Sequence, residues 1–283
     1  MTITAAEDRL LVREELETSA LVEAVCADES ITVHTGSRAE RVDSRERMLV
    51  VTLAGAQDVA GDRLFVGTGR RIELGDLGLE SVGWDGTAPF IKVEENLRGA
   101  DGIWAIGDVT GNPLLSLVAV YHSKIAAADI LGRDHPPVQH HAVPRVTVTD
   151  PEVGSVGLTE WEARAADRDV IVAVKQFPAT FAGVVPWAQR GLIEMVADRD
   201  TGTLVGGTAV GRRAGEMLGA QNLAVHARIP MPELRVWCPA PRPRQRHWRG
   251  AGRLRARSDN RDGSSVRGPT CQALDGLAAA AAT

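Results

Sequence analysis

The sequence predicts an α/β fold in its first half, followed by an α+β domain. Three observations support this prediction. From Thr2 to Thr68 the patterns predict a strand, a helix and then a run of four strands. In the middle, a short apolar strand ends in Gly-Asp and is followed at once by a helical stretch. After residue 143, β-branched runs separated by turn residues indicate an antiparallel sheet with helices on one face.

The first region begins with a strand at Thr2–Thr4 and a helix at Arg13–Asp28. Apolar residues at helical spacing place one face of this helix in the core. That face comprises Leu16, Ala20, Leu21, Ala24 and Val25. β-Branched and apolar runs then predict strands at Ile31–Thr35, Arg38–Asp43, Met48–Leu53 and Arg63–Thr68.

The middle region carries the most informative segment. Ile103–Ile106 is predicted as a buried strand that delivers Asp108 to the C-terminal edge of a sheet, before a helix at Leu114–Leu131. In open α/β sheets, ligands bind outside the carboxyl ends of strands, so Asp108 is placed to accept hydrogen bonds from a ligand hydroxyl. Gly107 lets a ligand approach the backbone.

The last region predicts five strands and two helices. The strands are Arg145–Thr149, Val153–Leu158, Val170–Phe177, Leu192–Asp198 and Leu204–Val210. Asp198-Arg199-Asp200-Thr201-Gly202 predicts a hairpin turn. Thr159-Glu160-Trp161-Glu162 predicts a capping box at a helix start, and a second helix is predicted at Arg213–Arg228.

Past Arg235 the composition changes to Pro, Arg and Gly, without Lys or Glu. Such a segment cannot bury enough apolar surface to fold alone, so residues 237–283 are predicted to be disordered. A frameshift near Val236 and a start inside a βαβ unit are the explanations that we expect. The alternatives are a genuine basic tail and, further, phosphate contacts with nucleic acid through its arginines.

Composition and charge argue against several classes of protein. The 283 residues carry a net charge of −5, which argues against a nucleic-acid binder, and the sequence shows neither a membrane-spanning run nor a leader segment. A cytoplasmic protein is therefore expected. The three cysteines and seven histidines show no metal-ligand spacing. Cys26 is predicted to be an apolar filler, and His140-His141 a solvated pair in a linker.

Three segments in order resemble the pyridine nucleotide-disulfide oxidoreductases of the mercuric reductase and dihydrolipoamide dehydrogenase type. They are Arg63-Leu64-Phe65-Val66-Gly67-Thr68-Gly69-Arg70-Arg71, the Ala105-Ile106-Gly107-Asp108 strand end, and Pro144-Arg145-Val146-Thr147-Val148-Thr149-Asp150-Pro151-Glu152 with the residues to Glu160. The resemblance implies Rossmann-like FAD- and NAD(P)-binding parts followed by a dimerisation domain. The implied boundaries are residues 1–73 (partial NAD(P) domain), 74–141 (C-terminal part of the FAD domain) and 142–236 (dimerisation).

The resemblance implies an oxidoreductase with FAD and NAD(P)H as cofactors and a homodimer formed through residues 142–236. It places Asp108 and Gly107 at the ribitol chain of FAD, with Val109 and Thr110 beside them. Gly67, Thr68 and Gly69 mark the crossover between the nucleotide sites. The helix that follows Asp108 is expected to direct its positive N-terminus to the flavin.

The chain also departs from the family pattern. It has neither a Gly-x-Gly-x-x-Gly turn in its first half nor a Cys-x-x-x-x-Cys pair, so the NAD(P)H site is expected to be incomplete and no catalytic residue is assigned. A catalytically impaired copy is therefore expected. The alternative is a dimerisation module without cofactor. Ala5 stands where the family often has an acidic ribose-binding residue, and Arg9 is the first arginine after it.

Overall fold

The structure is a computed structural model. It describes residues 1–55, 57–84, 87–177 and 190–234, and the backbone alone of 235–236 and 255–256. These residues belong to two compact units, one of residues 1–65 with 146–283 and one of residues 66–145.

Strands and helices are numbered in chain order. The strands are β1 (Thr2–Thr4), β2 (Thr32–His34), β3 (Ala39–Arg45), β4 (Met48–Leu53), β5 (Gln57–Gly61), β6 (Arg98–Ala100), β7 (Ile103–Trp104), β8 (Arg145–Thr147), β9 (Glu152–Gly157), β10 (Val170–Gln176), β11 (Leu192–Asp198), β12 (Thr203–Gly211) and β13 (Arg255–Ala256). The helices are α1 (Leu16–Asp28), α2 (Ser116–Ile130), α3 (Glu160–Ala165), α4 (Ala214–Met217), α5 (Gly219–His226) and α6 (Met231–Val236).

In the first unit, β1 and β2 pair in parallel, and α1 connects them along the chain. This is the predicted strand-helix-strand order. A three-stranded antiparallel meander, β3-β4-β5, follows. The predicted core face of α1 is wrong in part, because Leu16 is 60% exposed while Thr18 and Ser19 are buried. Val25 and Cys26 are buried as predicted, so the filler role of Cys26 is confirmed.

A six-stranded sheet forms the rest of this unit, in the order β13-β10-β11-β12-β9-β8. Its centre is buried on both faces, since every residue of Leu192–Asp198 is buried. Leu21 and Val22 of α1 and Ala163 of α3 pack against one face. On the other face, a Cβ at Gly207 would lie 3.1 Å from Gln221 of α5. Helices therefore cover both faces, and the predicted single helical face is wrong.

Local signals in this sheet are confirmed. Thr159 accepts a hydrogen bond from the backbone N–H of Glu162, whose carboxylate accepts one from the Thr159 N–H, so the capping box is present. At the predicted hairpin, the Gly202 N–H donates to the Asp198 carbonyl at 2.9 Å. The single helix predicted over Arg213–Arg228 is instead two helices, α4 and α5, which meet at Leu218.

Glu15 supplies a testable pH effect in this unit. The residue is 5% exposed, and its Oε1 accepts a hydrogen bond from the Glu160 N–H at 2.9 Å. Burial raises the pKa of the Glu15 carboxyl to about 7, and the charges of Glu160, Glu17 and Glu162 add to the rise. The folded chain therefore holds a proton on Glu15 at pH values at which the unfolded chain has lost it.

This proton makes a contribution to stability that is fully present below the ordinary glutamate pKa and is lost as the pH rises through about 7. We expect Glu15→Gln to raise the free energy of unfolding by about 2 kcal/mol at roughly pH 8 and to change it little at roughly pH 5. Urea denaturation at both pH values measures this difference. Glu29→Gln, at the exposed end of α1, is the control; an equal effect of both substitutions at pH 8 would contradict the prediction.

In the second unit, β6 and β7 form an antiparallel hairpin and α2 packs beside it. Asp129 near the end of α2 accepts hydrogen bonds from Trp104 Nε1 (2.7 Å), Arg98 (3.2 Å), Asn96 (3.3 Å) and His135 (3.4 Å). Arg98 also lies over the Trp104 ring, 5.0 Å from its centroid. One carboxylate thus ties the hairpin to the helix.

Two predicted strands are wrong. Residues 63–68 have no regular secondary structure, and Phe65 is 95% exposed. The strand in this region is instead β5, which completes the meander. Only Ile103 and Trp104 of the predicted Ile103–Ile106 strand are paired, and they pair in a hairpin rather than at the edge of an open parallel sheet.

The described part of the chain has no helix long and apolar enough to span a membrane.

Residues 237–283, where a disordered tail was predicted, lie outside the described residues apart from Arg255 and Ala256. The backbone of these two residues pairs with Val174 and Ala173 of β10. The proposed contact of the tail arginines with nucleic acid lies outside the described residues as well.

Candidate functional site

Gly107 turns the chain toward the candidate site. Its φ of +72° is a left-handed conformation that favours glycine, and a Cβ there would lie 2.9 Å from the Ala119 Cβ of α2. A 3₁₀ turn over Gly107–Thr110 follows. Glycine is required at this point both by the backbone conformation and by the close approach of the helix.

The turn is held from the inside by its own residues. The Thr110 hydroxyl donates to the Gly107 carbonyl at 2.8 Å, and the Gly111 N–H donates to the Asp108 carbonyl at 3.0 Å. The Val109 side chain packs against a buried cluster that includes Leu74, while its carbonyl accepts a hydrogen bond from Ile91. These contacts leave the Asp108 side chain on the outside, 39% exposed.

Arg70 brings the two predicted motifs together. Its guanidinium lies 3.6 Å from Asp108 Oδ2, with the Arg70 side chain 60% exposed. An exposed ion pair of this length contributes less than about 1 kcal/mol, so Asp108 can exchange it for a ligand hydroxyl. Gly67, Thr68 and Gly69 precede Arg70 on exposed, irregular backbone. Arg70 belongs to the predicted crossover segment, but its contact with Asp108 was not predicted.

His122 of α2 forms a hydrogen bond with the backbone of the turn. It is fully buried, and the Gly107 N–H donates to its Nδ1 at 3.1 Å. Its Nε2 lies 2.9 Å from Nε2 of His140. The prediction of His140 as one of a solvated pair is therefore wrong: His140 is half-buried. Sequence spacing could not reveal this contact, since the two histidines are distant along the chain and belong to no motif.

Both histidines favour the neutral form. Burial lowers the pKa of His122, and the neighbouring His140 lowers it further. Burial also lowers the pKa of His140. The pair is consequently uncharged at neutral pH and adds no positive charge next to the Gly107–Asp108 turn.

The N-terminus of α2 offers hydrogen-bond donors. No side chain caps it, and its first turn contains no acidic residue. Such a terminus carries a partial positive charge of about half a unit. An exposed carboxylate acceptor and uncapped helix amides on the same unit fit a ligand that has hydroxyls and a ring that becomes anionic on reduction, as FAD does.

Arg9 is not available for a phosphorylated ribose. Its guanidinium donates to the carbonyls of Leu11, Val12 and Glu14 and to the Ser19 hydroxyl, at distances of 2.6 to 3.2 Å. The arginine thus holds together the loop before α1.

Across the described ranges, no three His, Cys, Asp or Glu side chains cluster in a way that could hold a metal ion.

Comparison with known proteins gives consistent matches across the chain. Residues 1–123 match the family described as pyridine nucleotide-disulphide oxidoreductase, and residues 143–242 match the dimerisation domain of the same family. Mercuric reductase of Streptomyces lividans is 35% identical over 244 residues, which are 83% of this chain and 51% of that protein. Dihydrolipoyl dehydrogenase of Chlorobaculum tepidum is 34% identical over 229 residues, 79% of this chain and 49% of that protein.

Among solved structures, LpdA from Mycobacterium tuberculosis superposes with a TM-score of 0.77 at 25% identity, covering 84% of this chain and 52% of that one. The chain spans about half the length of the curated relatives that it matches. The two family matches follow one another along the sequence and together cover most of it. The chain belongs to the pyridine nucleotide-disulphide oxidoreductase family.

Proposed function

We propose that this chain supplies the ribitol-binding side of an FAD-dependent NAD(P)H oxidoreductase of the mercuric reductase and dihydrolipoyl dehydrogenase type. The observation that supports it is the outward Asp108 carboxylate on a turn fixed from inside by Gly107 and Thr110. Asp108 would accept hydrogen bonds from a ribitol hydroxyl. Gly107, Val109 and Thr110 shape that turn.

Gly67, Thr68 and Gly69 form the adjoining segment, which Arg70 connects to Asp108. FAD, when bound, would accept a hydride from NAD(P)H, and the protein contributes position and electrostatics. Since the sequence has no Gly-x-Gly-x-x-Gly turn in its first half and no Cys-x-x-x-x-Cys pair, we assign no catalytic residue and expect impaired turnover by this chain alone.

The proposal extends to assembly and location. The dimerisation-domain match over residues 143–242 supports a homodimer formed through residues 142–236. We also propose a cytoplasmic location, in keeping with the sequence composition. Size-exclusion chromatography with light scattering tests the dimer; a monomer at all concentrations would contradict it.

Asp108→Ala tests the flavin site. A hydrogen bond to a charged group contributes roughly 1.5–3 kcal/mol, so the substitution should weaken FAD binding about tenfold or more. FAD titrations followed by fluorescence quenching give both dissociation constants. Asp101→Ala, in the exposed turn of the β6–β7 hairpin, is the matched control and should bind FAD as the wild type does.

Equal affinities of the wild type and Asp108→Ala would remove Asp108 from the site. No FAD binding by either protein would instead support the dimerisation module without cofactor. NAD(P)H oxidation in the presence of FAD, compared with free flavin, then measures what turnover the chain has.

A further inference from the structure

We propose that His122 is a positioning residue for Asp108 and that the His122–His140 pair makes the flavin site sensitive to pH. This inference rests on the proposed function, because it assigns the regulation of the same site. It starts from one contact: the backbone N–H of Gly107, the residue before Asp108, donates to a fully buried imidazole nitrogen at 3.1 Å.

The hydrogen bonds fix where each proton lies. Nδ1 of His122 accepts from Gly107, so a neutral His122 carries its proton on Nε2. That proton points at Nε2 of His140, 2.9 Å away, which must then be an acceptor. His140 consequently carries its own proton on Nδ1. The chain of donors therefore runs from Gly107 through His122 to His140, and every link needs both rings to be neutral.

Addition of one more proton breaks this chain. If His140 becomes charged, its Nε2 is a donor and faces the Nε2–H of His122. If His122 is the charged ring, its Nδ1–H faces the Gly107 N–H. In both cases two donors meet inside the unit, and the cheapest relief is movement of Gly107 or of the His140 segment. Because Asp108 follows Gly107, movement of Gly107 displaces the carboxylate.

The segments packed at His122 carry other polar groups as well. The segments that meet at His122 carry Tyr121 on α2, Asp108 after Gly107, and His140 with His141 on the stretch that follows α2. Only His140 alters the pKa of His122 through its charge, and burial is the remaining cause. The Tyr121 hydroxyl accepts a hydrogen bond from the Gln139 N–H at 2.8 Å, which fastens the His140 segment to the same helix.

The test compares FAD affinity between about pH 7.5 and pH 5 in the whole chain. We expect the wild-type dissociation constant to rise at least about fivefold over this interval, because the protonated pair displaces Asp108. His140→Gln keeps an acceptor for the His122 proton and leaves His122 as the one ring of the pair that titrates, so the fall in its affinity should be smaller than in the wild type. His34→Gln, in the other unit, is the matched control and should show the wild-type fall.

Two variants of His122 separate positioning from general stability. His122→Asn keeps an acceptor for the Gly107 N–H, whereas His122→Leu removes it and leaves that N–H buried without a partner. We expect weaker FAD binding by His122→Leu at every pH, and recovery in His122→Asn without the acid fall. A fall of wild-type size in either His140→Gln or His122→Asn would overturn the inference.

A measurement without FAD keeps the inference separate from the proposed function. The ¹⁵N and ¹H shifts of the Gly107 amide should titrate with the histidine pair below neutral pH in the wild type and stay constant in His122→Asn. If this amide does not respond to pH, the inference fails even where FAD binds. If the amide responds but FAD binds at no pH, the proposed function fails, and with it the regulatory role.

Discussion

Replacement of Gly206 with alanine is expected to lower the free energy of unfolding of the six-stranded sheet by about 3 kcal/mol or more. A Cβ at this position would lie 1.8 Å from the backbone carbonyl oxygen of Leu158. Gly206 pairs with Gly157, where a Cβ would lie 2.1 Å from the Val205 carbonyl. Because both obstacles are backbone atoms, β9 and β12 must separate to admit a methyl group, and side-chain rotation cannot relieve the contact.

Urea denaturation followed by circular dichroism measures the loss, and hydrogen exchange of the Leu158 amide, bonded to the Val205 carbonyl at 2.9 Å, localises it. Gly219→Ala is the matched control. It is the same substitution in the same unit, at a helical position with nothing within 4 Å of the new Cβ. Since alanine favours a helix over glycine, Gly219→Ala should be neutral or stabilising by up to about 1 kcal/mol. Comparable losses of stability in both variants would show that the close approach of β9 and β12 does not exclude a side chain at position 206.

A loss of about 3 kcal/mol is also expected when Leu97→Ala opens a cavity in the second unit. Leu97 is fully buried against Ile125 and Ala126 of α2, with Trp104 and Tyr121 packed around them. Its φ of +68° is a strained conformation for leucine, and alanine keeps that strain while it loses the packing. The substitution therefore removes what offsets the strained backbone.

Hydrogen exchange of the Ala105 amide, which donates to the Leu97 carbonyl at 3.1 Å, reports the change locally. Leu77→Ala, the same substitution at a 58% exposed position of this unit, should change stability by less than about 0.5 kcal/mol. An unchanged exchange rate at Ala105 in Leu97→Ala would contradict the assignment of Leu97 to the core.

The sheet of the first unit could be predicted from the sequence almost residue by residue. Leu192–Asp198 is a strand with the predicted bounds, and Thr159 caps its helix as predicted. These elements combine local signals that agree: β-branched runs, a hairpin turn and a capping box. The helices on both faces could not be read from a strand pattern, since a fully buried strand shows no alternation to mark which face is covered.

The predictions failed where a pattern depended on a distant partner. Arg63–Thr68 has the apolar and β-branched residues of a strand, but β-propensity is expressed only where a neighbouring strand supplies hydrogen bonds, and none runs beside it in the described part of the chain. For the candidate site, a local motif predicted Gly107 and Asp108. His122 and the contact of Arg70 with Asp108 were not predicted, because both depend on residues that are not neighbours along the chain.

The cage around Trp104 has an optical consequence. Its indole N–H is held by a carboxylate and its ring is covered by a guanidinium, so the excited-state dipole of this indole meets fixed charges of both signs rather than freely rotating water. Trp161, in the other unit, is 76% exposed and should have the emission of a solvated indole. In a variant that keeps Trp104 as its single tryptophan, the emission would therefore report whether the hairpin that precedes Asp108 is docked on α2.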